Sequence, residues 1–174
     1  MRLYELFTGS SAASYVLKQH DDEYVGEFTI EDHKYQVYFE CQDDSTEKSR
    51  WDFSFALTHT IQTKNGPYNK REFGDSGTGN AFIVYATVVA VLREFINKVK
   101  PGIIDFEGHK ADSGSGNKAG LYDRMMRKLG AEAQQMGYTP ITLSQNSSKN
   151  EYCLIRKDLS VDPAQQARRY GEYE

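Results

Sequence analysis

Gly77-Thr78-Gly79-Asn80-Ala81 runs straight into the apolar stretch Phe82–Val99, which Pro101-Gly102 cuts off. Ala81, Tyr85, Val88, Leu92, Phe95, Ile96 and Val99 recur there at three- and four-residue spacing, the period of a helix that buries a broad stripe. Val84, Val89 and Val91 make the other sides apolar as well, so this helix is expected to pack against a sheet and a further element. A glycine-rich loop opening onto a helix leaves several backbone N–H groups without intrahelical partners. The helix dipole adds partial positive charge at the same place, which suits phosphate or another anion. A loop whose glycines only permit positive φ would be spelled the same way.

Outward from this helix the chain reads as strands. Tyr24, Gly26, Phe28 and Ile30 alternate with Val25, Glu27 and Thr29. After the polar break at Glu31–Lys34, Tyr35, Val37, Phe39 and Cys41 alternate with Gln36, Tyr38 and Glu40. Period two on both sides of a short turn predicts an antiparallel pair with one buried face. Ser14–Leu17 adds a strand before it, and Trp51, Phe53, Phe55 and Leu57 mark one after the charged loop Gln42–Arg50. Thr63–Gly79 is rich in Gly, Asn, Lys and Ser and is expected to be irregular, the longest such stretch in the chain. Beyond the first helix, Ile103–Glu107 predicts a short strand that Gly108 ends, and Gly108–Gly116 a polar loop. Asn117–Gly137 predicts a second helix with Leu121, Tyr122, Met125, Leu129, Ala133 and Met136 on one face. Ile141–Leu143 and Tyr152–Ile155 predict a closing hairpin across Ser144–Glu151.

Composition bounds the function. The chain has 174 residues, one domain by length, and a chain of that size buries roughly 70% of its unfolded surface. We expect a single domain over residues 1–162 and a polar tail over 163–174. A net charge of −4 argues against general nucleic-acid binding, which calls for a basic excess. No segment reaches the roughly 18 consecutive apolar residues of a membrane span, and Met1–Leu6 carries no secretory h-region. Cys41 and Cys153 lie far apart and read as reduced thiols of a cytoplasmic protein.

The element order is thus antiparallel strands, glycine loop, helix, strand, helix, hairpin. Over residues 14–156 this resembles the GNAT N-acyltransferase superfamily, an α+β fold with a mixed sheet. In that family a G-x-G-x-A loop at the start of the central helix cradles the pyrophosphate of acetyl-CoA, and Gly77, Gly79 and Ala81 match its three fixed positions. Asn117-Lys118-Ala119-Gly120-Leu121-Tyr122 resembles the start of the family's later helix, and Gly137-Tyr138 its exit into the last hairpin. The resemblance implies acetyl-CoA as cofactor, held by Gly77, Thr78, Gly79, Asn80 and Ala81 with Asn117. It implies an amine-bearing small molecule or protein as acceptor. Tyr122 takes the position of the residue that protonates the departing CoA thiolate. A tyrosine hydroxyl of pKa near 10 is protonated at neutral pH and able to donate. Val84-Tyr85-Ala86-Thr87-Val88 and Leu121-Tyr122-Asp123-Arg124 are also faintly similar to small proteins encoded by tailed phages.

Other constellations carry rival chemistry. Asp105, Glu107 and His109 fall at i, i+2 and i+4, which on a strand share one face. They would supply a general base, with Glu107 accepting the amine proton, or hold the divalent metal of a phosphodiesterase. An ordinary solvated strand edge reads the same way. Arg124, Arg127 and Lys128 form a basic stripe or simply a solvated helix face. Gly74 stands three residues before Gly77, where the resembled family usually carries Arg or Gln. That substitution motivates an alternative: a catalytically inactive GNAT-like interaction protein that acts by binding a protein partner.

Overall fold

The computed structural model describes residues 12–43, 49–72, 81–109, 127, 129–145 and 149–159. Strands β1 (Tyr15–His20), β2 (Glu23–Ile30), β3 (His33–Asp43), β4 (Arg50–Thr63) and β5 (Gly66–Glu72) come first. Helix α1 (Ala81–Val99), strand β6 (Ile103–His109), a helix α2 described over 129–135, and strands β7 (Tyr138–Gln145) and β8 (Lys149–Arg156) follow. This is a mixed α+β fold. The eight strands among the described residues are hydrogen-bonded in the order β1-β2-β3-β4-β6-β8-β7, with β5 on β4. The pair β4/β6 is parallel; β1/β2, β4/β5, β6/β8 and β7/β8 are antiparallel. Residues cluster into two compact units, one drawn from Met1–Phe39 and Ser54–Lys98, the other from Glu40–Phe53 and Val99–Glu174.

In the first unit α1 covers one face of the β2–β3 strands. The Phe39 and Phe95 rings stack with centroids 3.8 Å apart, and Tyr24 meets Phe95 edge-on at 5.5 Å. Gly26 is where the helix comes closest: a Cβ built there would lie 2.5 Å from Val91 Cγ1. Val88, Leu92, Phe95 and Ile96 are buried, as the stripe predicts; Val91, from another side of the helix, is buried too, and Phe82 is exposed. Thr87 is buried too. Its hydroxyl donates to the Ile83 carbonyl at 2.7 Å and accepts the Ala13 N–H at 2.8 Å, so a polar side chain mid-helix is satisfied. Lys100 ends the helix in the left-handed region at φ 52°, directly before Pro101.

Three expectations about the strands are corrected. The hairpin does not have one buried face: Val25 and Tyr38 lie opposite the α1-facing row and bury together with Ala56. Their apolar bodies break the strict alternation, so both sides of this sheet carry core. Thr63–Gly79 is not irregular throughout, because β4 continues to Thr63 and turns at Lys64-Asn65 into β5. Gly66, at φ 107°, takes the backbone conformation that makes this turn possible. Nor does Gly108 end β6, which runs on to His109 because β8 supplies ladder partners for Gly108 and His109.

The second unit holds the order β4-β6-β8-β7. Arg50–Phe53 pairs in parallel with Ile103–Phe106. Phe53, Phe106 and Tyr152 form a run of rings across three strands, with centroids 6.1 Å and then 5.5 Å apart. On the opposite side Ile103, Cys153 and Ile155 bury with Ile141, Leu143 and Leu159 against them. From α2, Leu129 and Ala133 are buried, and Gly137 at φ 91° ends the helix where the sequence predicts its stop. Tyr138, expected at the exit into the last hairpin, is the first residue of β7. The Tyr138 hydroxyl donates to the Pro101 carbonyl at 2.5 Å in a buried site, and burial pushes that phenol up to about 12.

Candidate functional site

Most of the residues singled out for cofactor chemistry, Gly77, Thr78, Gly79, Asn80, Asn117 and Tyr122, lie outside the described residues, as do Arg124 and Lys128. Ala81 is the first residue of α1. In sequence Ala81 directly follows Gly77-Thr78-Gly79-Asn80. The first turn of α1 contains no acidic residue, so no carboxylate of its own competes for the amide groups of that end.

Of the residues singled out for rival chemistry, Asp105, Glu107 and His109 lie on β6 in the second unit, beside β4 and β8. Asp105 sits in the middle of β6, opposite Asp52 on β4 and Cys153 on β8. The Arg50 guanidinium, two residues before Asp52 and hence on the same side of its strand, donates through Nε to Asp105 Oδ2. Both partners are largely withdrawn from water, with 16% of the Arg50 side chain and 8% of the Asp105 side chain exposed. One step along β6, Glu107 is the register partner of Glu151, and His109 that of Lys149. Glu151 is buried.

This placement changes what the three-residue pattern at 105, 107 and 109 can do. Asp105 is not a solvated edge residue; β6 is flanked by strands on both sides and Asp105 is buried against Arg50. A carboxylate already neutralised by a guanidinium is a poor divalent-metal ligand and a poor base. Among the described residues no group of three His, Cys, Asp or Glu side chains is placed to hold a metal ion. Cys153, the register partner of Asp105, is equally constrained. Burial first, and the Asp105 charge second, push its thiol up to about 12 against the opposing pull of Arg50. It is a packed thiol at neutral pH, not a nucleophile.

Arg50 and Cys153 are the members of this cluster that sequence reasoning missed. Arg50 reads as the end of a charged loop, and its partner is 55 residues away. Only the parallel register of β4 and β6 brings the two together. Arg127, read as part of a basic stripe or simply of a solvated helix face, is exposed. No helix among the described residues is long and apolar enough to cross a membrane.

No family model, curated protein or solved structure matches this chain.

Proposed function

We propose that this chain is a GNAT-like N-acyltransferase that moves an acetyl group from coenzyme A to an amine. One observation carries the reading. A 19-residue helix begins at Ala81, directly behind Gly77-Thr78-Gly79-Asn80, and stands in the order strand meander, helix, strand, helix, hairpin. That order is the one the resemblance implies. The parallel β4/β6 neighbours on either side of α1 in the chain make the sheet mixed, which also accords with it. An acid-free first turn suits a pyrophosphate at that helix end.

In this reading the cofactor supplies the activated thioester, and the residues of the chain bind it and move two protons. Amides of residues 77–81 hold the pyrophosphate, assisted by Asn117. When bound, the cofactor would supply the acetyl group, the C–N bond to the acceptor forming as the thioester C–S bond breaks. Glu107, on β6, takes the proton lost by the amine, and Tyr122 returns one to the departing sulfur. Asp105 has no part in proton transfer, because Arg50 holds it as a buried ion pair.

Calorimetry with acetyl-CoA tests the proposal. Saturable binding that Gly79→Glu abolishes is expected, since a carboxylate there would face the pyrophosphate. Tyr122→Phe should bind equally well and turn over at least 10-fold more slowly, in line with the roughly 10²–10⁴-fold that general acid–base catalysis contributes. Absence of any heat or thermal shift at millimolar coenzyme A would remove the enzyme reading. Capture of one stoichiometric protein by wild type and Gly79→Glu alike would then leave the inactive, partner-binding alternative.

A further inference from the structure

We draw no further inference here: the strongest candidate, the acidic residues Asp52, Asp105, Glu107 and Glu151 at adjoining register positions of β4, β6 and β8, is an acidic cluster without a second observation to say what it would hold, and its Asp105 is already engaged by Arg50.

Discussion

Glu27 and Asp105 are both carboxylates fixed on strands by basic side chains, yet water reaches them very differently. Glu27, in the first unit, takes Lys18 at 2.9 Å and Lys34 at 3.6 Å with a quarter of its side chain exposed and both lysines about half exposed. Asp105, in the second, takes the Arg50 guanidinium with almost no solvent around it. The first arrangement gains little from each contact, because water screens it and long side chains must be ordered to make it. The second gives up hydration of two charges and recovers it only while both partners are present. Proximity of opposite charges is therefore the same observation with two energetic meanings. Burial decides which one applies.

The largest expected effect comes from separating the buried pair. Arg50→Ala or Asp105→Ala alone should lower unfolding free energy by about 3–5 kcal/mol, since each removes one half of an ion pair largely withdrawn from water. Replacing both with apolar residues of similar size, Arg50→Met with Asp105→Leu, should recover most of that loss. Urea denaturation of the two single variants and the double variant measures it. Single losses below about 1 kcal/mol would put Asp105 in the same class as Glu27 and dissolve the contrast.

Next in size is a steric test in the first unit. Gly26→Ala would place a methyl group 2.5 Å from Val91 Cγ1, so the Val91 side chain or the backbone carrying it must shift. Overpacking of this kind costs about 1–3 kcal/mol. Val91→Ala should relieve it in the double variant, although Val91→Ala alone also destabilises. A Gly26→Ala protein as stable as wild type would show that α1 is not held as tightly on β2 as the Tyr24–Phe95 contact implies. Smaller again is Tyr138→Phe in the second unit. It withdraws the hydroxyl from the Pro101 carbonyl and should cost about 1 kcal/mol. The phenol resists ionisation up to about 12 when folded, against an ordinary value of 10.0. Above pH 10 the unfolded chain loses that proton first, so stability falls as pH rises toward 12. In Tyr138→Phe the alkaline loss, followed by circular dichroism, should be shallower.

These sites also mark how far the sequence could be read. Helix α1 was legible to the residue, because its stripe from Val88 to Ile96 has one period and Pro101 gives one stop. The β2–β3 hairpin was legible from period two, and the β7–β8 hairpin from two short apolar segments on either side of a polar stretch. Strand β5 was not, since Tyr68-Asn69-Lys70-Arg71 has no alternation; it is held by backbone pairing to β4, which no side-chain pattern announces. An Asn65-Gly66 turn signal was present in the sequence and outweighed by the polar run around it. The Arg50–Asp105 pair was illegible for a different reason: it depends on the register of two strands far apart in the chain. The glycine-loop chemistry rests on residues 77–80, outside the described residues, and only the helix start at Ala81 bears on it.

The smallest effect tests the exposed half of the contrast. Glu27 receives Lys18 Nζ and the Gln36 amide, each at 2.9 Å, and Gln36 in turn accepts the Thr58 hydroxyl at 2.9 Å and the Tyr38 phenol. These donors, Lys18 first and Gln36 second, hold the Glu27 carboxyl down at about 2, from an ordinary 4.5. Its contribution is therefore complete above pH 4.5, where the unfolded chain would also be ionised, and is lost as pH falls toward 2. Glu27→Gln should cost only about 0.2–1 kcal/mol per ion pair at neutral pH. The gap between wild type and variant should close between pH 4.5 and 2 and shrink in 1 M salt. Arg50→Ala measured in the same salt should keep nearly all of its deficit, because counterions do not enter a site whose aspartate is 8% exposed. Equal salt sensitivity of the two variants would mean that the buried pair is as wet as the surface one.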